Sequence, residues 1–241
     1  MIDRAARDAG VELRAIDRSR VAPGLVGEQY LQVLADMVRR SAGGRRPPIL
    51  GFSIGAALAL RVAARLGDEV GPLLLLSTAG PLDPPAARHG IGAGARVFRS
   101  ARAGGIGLEV AVRGQAMLAR AAPDLFRRML FSGADPSDRS LADDPAHGPL
   151  LARVLRAAFA DGGAGYRRDL LAYADDWTAE LAAVTATTRM WHGRADRWSP
   201  IAMARSVAQA LPSSCRLHEG ASGHYSTLIA CARDALADMA R

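Results

Sequence analysis

The sequence contains no lysine and no asparagine, and aromatic residues make up only 5% of its 241 positions. All 31 basic residues are therefore arginine, and the formal net charge is +7. The arginines are spread along the chain singly or in short pairs such as Arg39–Arg40, without interleaved aromatic residues. Nucleic-acid sites combine a basic groove with aromatic side chains on which bases stack. We therefore expect the arginines to lie on solvated helix faces, and we predict no nucleic-acid partner.

Long hydrophobic runs and metal-ligand spacings are also missing. The longest apolar stretches, Ala56–Ala64 and Pro72–Leu76, are too short or too interrupted by arginine to span a bilayer. Met1–Gly10 carries charges where a signal peptide needs an apolar core. Cys215 and Cys231 have no metal-binding spacing, so we expect reduced thiols that serve as small apolar side chains. These absences predict a cytoplasmic protein without a membrane partner, a metal or another cofactor.

What the chain does contain is an alternation of strand-like and helical segments. Hydrophobic residues make up 49% of the positions, enough for the core of one large α/β domain. The predicted strands are Val11–Asp17, Pro47–Phe52, Pro72–Ser77, Arg189–His192 and Cys215–Glu219, and the predicted helices are Leu25–Arg40, Ile54–Leu66, Ile201–Leu211 and Thr227–Met239. This order predicts an α/β fold with a mostly parallel, doubly wound sheet.

The middle of the chain, residues 84–176, has a different character. It is rich in alanine, arginine and glycine, and it shows helical periodicity without strand-like runs. The helical stretches are Val110–Ala119, Leu125–Leu130, Leu150–Phe159 and Tyr166–Tyr173, and the clusters between them are Gly133–Asp138, Asp143–Pro149 and Asp161–Gly165. Such a length far exceeds an ordinary crossover. We expect a helical cap over the carboxyl edge of the sheet, where ligands bind, on a core formed by residues 1–83 and 177–241.

The most informative motif is Gly51–Gly55 (GFSIG), which stands between a predicted strand and a predicted helix. A sharp strand-to-helix turn exposes the central hydroxyl of Ser53 at the edge of the sheet. The turn favours glycine two residues before and after the serine, because side chains there would clash. The N–H of Ile54 at the start of the helix would stabilise a developing oxyanion. This pattern predicts a nucleophilic serine, and the alternative is a serine that only caps the helix.

A serine needs a base and an orienting acid to become a nucleophile. Asp196 follows the predicted strand Arg189–His192, and His224 follows the strand Cys215–Glu219, which we expect to place His224 in a loop at the same sheet edge. We predict a triad of Ser53, Asp196 and His224. Asp83 is the rival acid, because it follows the strand Pro72–Ser77. The other histidines are expected to be structural or solvated, namely His89, His147, His192 and His218.

These motifs resemble those of the α/β-hydrolase family, in particular its capped bacterial members. The stretches that carry the resemblance are Ala5–Arg18, Ile49–Leu66, Leu73–Pro81, Gly165–Trp177 and Met190–His224. The resemblance implies Ser53 as nucleophile, Asp196 as acid, His224 as base and the Ile54 N–H as one oxyanion donor. A serine at position 53 differs from the branches that use aspartate there, such as haloalkane dehalogenases and most epoxide hydrolases.

The sequence departs from the family pattern in two places. Members of the family usually carry further strands and a His-Gly loop before the segment that begins this chain, and that loop supplies the second oxyanion N–H. We expect these N-terminal strands to be missing here, through a start codon assigned too far downstream or a true truncation. The segment Asp17–Arg20 also lacks the Pro-Gly-x-Gly-x-Ser continuation that usually follows the Asp-Arg pair, so the loop that lines the pocket differs.

The expected activity is that of a carboxylesterase-like serine hydrolase that cleaves an ester-like or other acyl bond in a small molecule. Two alternatives remain. An aminopeptidase of the same fold would need acidic residues such as Glu109, Asp124 or Asp169 to face Ser53. A binding protein with the same fold would have lost turnover together with the oxyanion loop.

Overall fold

The structure is a computed structural model that describes residues 2–22, 24–82, 94–212 and 215–239. Four strands alternate with helices in the regions that the sequence assigns to the core. The strands are β1 (Ile49–Phe52), β2 (Leu73–Leu76), β3 (Thr188–Gly193) and β4 (Cys215–Gly220). The helices of these regions are α1 (Ile2–Asp8), α2 (Gly27–Ala42), α3 (Ile54–Leu66), α10 (Ile201–Ala210) and α11 (His224–Met239). Short 3-10 helices lie at Arg18–Arg20, Gly67–Glu69 and Thr178–Ala183.

Within the described residues, the four strands form one parallel sheet in the order β1-β2-β3-β4. Gly51 pairs with Leu75, Leu75 with Met190, and Met190 with Leu217. Because all strands run the same way, their carboxyl ends lie at one edge of the sheet. The residues that follow them, including Ser53 and Asp196, are therefore brought to that edge.

The two faces of the sheet bury different halves of the all-leucine strand β2. Leu73 and Leu75 pack in the larger core with residues of α2, α3 and α10. Leu74 and Leu76 pack on the opposite face with Trp191 and residues of α11. Side chains alternate between the faces of a strand, so a strand covered on both sides must be apolar throughout. The continuous leucine run therefore predicts this central position correctly.

Residues 94–174, which we call the helical segment, contain helices and no strand. These helices are α4 (Gly94–Ala103), α5 (Gly105–Ala121), α6 (Pro123–Phe131), α7 (Pro136–Asp143), α8 (Gly148–Ala158) and α9 (Ala164–Ala174). Two apolar clusters of its own support the segment, one around Phe126 and Phe159 and one around Phe131 and Leu151. α9 returns to the sheet core, where Leu170 and Tyr173 are fully buried.

The structure differs from the expected secondary structure at Val11–Asp17 and adds detail at Gly133–Asp138. Val11–Asp17 is not a strand but an irregular segment, because a strand requires a hydrogen-bonded neighbour and no described residue pairs with it. The cluster Gly133–Asp138 is not only a connection, since α7 begins within it. Asp135 caps α7 by accepting the N–H of Ser137, and Pro136 occupies the first helical position, where its missing N–H costs nothing.

None of the helices in the described ranges combines the length and the apolar composition that crossing a bilayer requires.

Candidate active site

Ser53 lies in a strained turn between β1 and α3. Its backbone has φ 57° and ψ −127°, a region that residues other than glycine rarely adopt and that costs about 1–3 kcal/mol. The turn is held by the Ser53 N–H, which donates to the carbonyl of Leu76, and by the Ser53 carbonyl, which accepts from the N–H of Ala56. Ser53 is half-buried.

The two glycines of the motif differ in the space that surrounds them. A Cβ on Gly51 would lie 2.7 Å from the Cα of Ala56, which is too close for any side chain. A Cβ on Gly55 would meet no atom within 4 Å. The expected clash is therefore correct for Gly51 and wrong for Gly55, whose position on the open side of the first turn of α3 leaves space for a side chain.

Ile54 is the first residue of α3, so its N–H has no acceptor within the helix. The N–H follows directly after Ser53, at the helix end that carries the partial positive charge of the helix dipole. The Ile54 N–H therefore lies next to Ser53 in sequence without an acceptor in the helix, and its role as an oxyanion donor stays a prediction.

The structure brings Ser53, His224 and Asp196 into one hydrogen-bonded row. Nε2 of His224 lies 2.9 Å from Oγ of Ser53, and Nδ1 of His224 lies 2.6 Å from Oδ2 of Asp196. A carboxylate only accepts hydrogen bonds, so Nδ1 carries the proton and donates to Asp196. Nε2 is then the acceptor for the Ser53 hydroxyl.

Asp196 is buried, and both of its carboxylate oxygens have partners. Oδ1 accepts the backbone N–H groups of Trp198 at 2.9 Å and Ser199 at 2.8 Å, while Oδ2 accepts from His224. Burial alone would raise the pKa of Asp196. The interaction with His224, followed by those with His192 and the Ser199 N–H, outweighs burial and holds the pKa below its ordinary value. The carboxylate is therefore charged at neutral pH.

His192 lies in β3 beneath Asp196 and has a structural role, as expected. Its Nε2 is 2.7 Å from the carbonyl of Ser199 and 3.4 Å from Oδ2 of Asp196, and its Nδ1 is buried without a hydrogen-bond partner. Burial lowers the pKa of His192, and the nearby carboxylate of Asp196 offsets this only in part. The neutral ring donates to Ser199 and so supports the turn that carries Asp196.

His224 is not in a loop, as the sequence predicts, but is the first residue of α11. The helix begins three residues before the predicted start because a side chain outside it binds its first turn. Asp138 of α7 accepts the N–H of His224 at 2.6 Å and the N–H of Ser226 at 2.8 Å. On the other side, the hydroxyl of Ser77 donates to the carbonyl of His224 at 2.8 Å. The sequence does not predict a role for Asp138 or Ser77 in the site.

Aromatic residues are scarce in the chain, yet several surround His224. The ring centroids of Phe52, Trp198 and Tyr225 lie 4.9, 5.2 and 5.4 Å from that of His224. Phe131 of the helical segment packs behind them, 5.1 Å from both Trp198 and Tyr225. Burial raises the pKa of Tyr225 to about 12. His224 is buried among these rings, and the exclusion of water strengthens the electrostatic interactions of its imidazole.

Among the described residues, the other candidates do not join this arrangement. The rival acid Asp83 and the histidine His89 lie outside the described residues. His147 binds its neighbour Asp144, and the ring of His218 stacks on Trp191 at 5.4 Å. In the described ranges, no group of three histidine, cysteine or acidic residues could hold a metal ion.

Solved structures with a similar backbone are α/β hydrolases. A hydrolase from Pseudomonas aeruginosa has a TM-score of 0.62 and 18% identity, over 91% of this chain and 74% of that one. A bromoperoxidase from Bacillus anthracis has a TM-score of 0.63 and 14% identity, over 98% of this chain and 82% of that one. A thermophilic esterase from Thermogutta terrifontis has a TM-score of 0.62 and 18% identity, over 91% and 74% of the respective chains.

No protein-family model matches the sequence, and no curated protein matches it. The similarity to solved structures is thus one of backbone and not of sequence. It shows that the chain has the α/β-hydrolase fold, which confirms the predicted fold class.

Proposed function

We propose that the protein is a serine hydrolase of the carboxylesterase type, in which Ser53, His224 and Asp196 form the catalytic triad. The observation that carries the proposal is the 2.9 Å distance between Oγ of Ser53 and Nε2 of His224, at the end of a row anchored by a buried carboxylate. The substrate is a small molecule with an ester-like or other acyl bond.

The first half of the reaction forms an acyl-enzyme. Oγ of Ser53 bonds to the acyl carbon while its proton passes to Nε2 of His224. The negative charge that develops on the carbonyl oxygen is stabilised by the Ile54 N–H. The bond to the leaving group then breaks, the leaving group keeps the electron pair, and His224 gives it the proton.

Water completes the reaction by the same route. His224 removes a proton from a water molecule, the resulting hydroxide attacks the acyl carbon, and the bond to Oγ of Ser53 breaks. The proton returns to Oγ and the acid leaves. The charged Asp196 stabilises the imidazolium in both halves without taking its proton. No cofactor takes part in these steps.

An aminopeptidase of the same fold has less support. It would bind a substrate amine with a free acidic side chain, but the three candidate acids are all paired. Glu109 lies 2.8 Å from Arg113 and 2.9 Å from Arg167, and Asp169 accepts from Arg18 at 2.9 Å. Asp124 lies 3.6 Å from Arg127. These arginines neutralise the negative charge that would otherwise bind a substrate amine.

Covalent labelling tests the proposal. A fluorophosphonate probe should label the wild-type protein at Ser53, as read by peptide mass spectrometry, and should not label Ser53→Ala. Ser132→Ala is the matched control, because Ser132 is an exposed serine whose hydroxyl only donates to the carbonyl of Met129. It should be labelled like the wild type.

Turnover of p-nitrophenyl acetate or butyrate completes the test. Hydrolysis that disappears in His224→Ala supports the enzyme. A folded wild-type protein that is neither labelled nor active, but still binds acyl ligands, would instead indicate a binding protein with this fold.

A further inference from the structure

We propose that Asp138, on α7 of the helical segment, is a positioning residue for His224. Its carboxylate would fix the first turn of α11 and thereby the distance between the imidazole and Ser53. The inference rests on the proposed function, since it assigns a role toward the proposed base. It also means that the helical segment contributes a side chain to the geometry of the site.

The carboxylate of Asp138 is fully buried, with 0% of the residue exposed. Each of its oxygens accepts one backbone N–H, Oδ2 from His224 at 2.6 Å and Oδ1 from Ser226 at 2.8 Å. Among the described residues, Asp138 forms no salt bridge. The positive end of the α11 helix dipole therefore compensates its charge, and hydrogen bonds to a charged acceptor are about twice as strong as neutral ones.

The residue before His224 explains why this contact comes from a distant element. A helix is usually capped by the side chain of the preceding residue, which here is Gly223. A Cβ on Gly223 would lie 2.7 Å from Cγ of Asp138, so only glycine leaves room for the carboxylate. The N–H of Gly223 donates to the hydroxyls of Ser226 at 2.8 Å and Ser137 at 3.1 Å. Two neighbouring residues of α7 thus bind the start of α11.

The backbone of His224 is held at both ends of the residue. Asp138 accepts its N–H, and the hydroxyl of Ser77, which follows β2, donates to its carbonyl. The backbone contacts leave the side-chain torsions of His224 undetermined. The hydrogen bonds of its ring with Asp196 and Ser53 fix these torsions. A displacement of about 1 Å of a reacting group can lower a rate on the order of 10²-fold.

The variants Asp138→Ala and Asp138→Asn separate positioning from stability. Alanine removes both acceptors. Asparagine keeps the shape and one acceptor, but it turns an N–H₂ group toward one of the two backbone N–H donors. We expect kcat for p-nitrophenyl butyrate to fall by a factor on the order of 10² in Asp138→Ala and by less in Asp138→Asn, with KM nearly unchanged.

Asp144→Ala is the matched control. Asp144 lies in the same helical segment and also accepts two backbone N–H groups, from Ala146 at 2.9 Å and His147 at 3.0 Å, but these belong to the turn before α8 and not to the start of α11. This variant should lose thermal stability and keep the wild-type kcat. The inference is overturned if Asp138→Asn keeps the wild-type kcat. It is also overturned if Asp138→Ala and Asp144→Ala each lower kcat in proportion to the Tm that they lose. If Asp138→Ala does not fold, Asp138→Asn decides.

Hydrogen exchange provides a readout that does not depend on turnover. In Asp138→Asn, the amides of His224 and Ser226 should exchange at least tenfold faster than in the wild type, whereas Asp144→Ala should leave them unchanged. Unchanged exchange in Asp138→Asn would contradict the inference. A wild-type protein that is inactive but shows this acceleration would refute the proposed function while retaining the role of Asp138 at the start of α11.

Discussion

Ser53 and His224 are held in place by different means. Ser53 depends mainly on a turn of a few residues, because the strand, the glycine at 51 and the helix that determine its backbone are adjacent in sequence. The bond from its N–H to the carbonyl of Leu76 only continues the pairing of β1 with β2. His224 depends on contacts from afar, namely Asp138 on α7, Ser77 after β2 and Asp196 after β3. The nucleophile is thus determined by local backbone geometry, and the base by tertiary contacts. The two supports should therefore fail in different ways.

Among changes to these two supports, the largest effect is expected when the support of His224 loses a charge and keeps its shape. In Asp196→Asn, the N–H groups of Trp198 and Ser199 hold the amide oxygen where Oδ1 was. The amide N–H₂ then faces Nδ1 of His224, which must accept, so that Nε2 carries the proton and cannot take one from Ser53. We expect kcat to fall by about 10⁴, with little change in Tm. Retained activity in steady-state assays would rule out this role for Asp196.

The local support of Ser53 can be tested with its two glycines. Gly51→Ala would place a Cβ against the backbone of Ala56, so the turn must shift, at an expected cost of about 1–3 kcal/mol in unfolding free energy together with loss of fluorophosphonate labelling. Gly55→Ala meets open space, and we expect unfolding within about 1 kcal/mol of the wild type and normal labelling. Urea unfolding of both variants gives the comparison. Equal effects would mean that the steric asymmetry is not what maintains the turn.

The same contrast between local and distant support explains how much of the fold and of the candidate site could be predicted from the sequence. The GFSIG motif and the leucine run of β2 have local or periodic signals, so the strained turn at Ser53, α3 and the central strand are correctly predicted. Asp138 has no such signal, since it lies 86 residues before His224 and its neighbours Pro136 and Asp135 only indicate a helix start. The error at Val11–Asp17 has a related origin. Its alternating pattern favours a strand, but pairing depends on a neighbour that the pattern does not specify.

A smaller effect, on the unfolding free energy, is expected from the titration of the buried residues His192 and Asp196. The pKa of His192 lies below its ordinary value of 6.5 in the folded protein, so below pH 6.5 the unfolded chain binds a proton that the folded protein does not. The unfolding free energy should therefore fall as the pH decreases through this range, by up to about 1.4 kcal/mol per pH unit. The lowered pKa of Asp196 adds a further loss only below 3.8.

His192→Gln provides the comparison, because its amide can still donate to the Ser199 carbonyl but does not titrate. Thermal unfolding between pH 7.5 and 5.5 should lower the Tm of the wild type more than that of the variant. Parallel curves would show that His192 is not the group responsible.

The central claim is that the locally held Ser53 and the distantly held His224 act as one unit. The kcat of p-nitrophenyl butyrate hydrolysis should be measured for Ser53→Ala, His224→Ala and the double variant, each shown to be folded. Residues that act together have strongly non-additive effects. We expect each single variant to lose a factor on the order of 10⁴ to 10⁶ in kcat, and the double variant to lose no more than the worse single one. Losses that multiply in the double variant, or a single variant that retains its activity, would contradict the central claim.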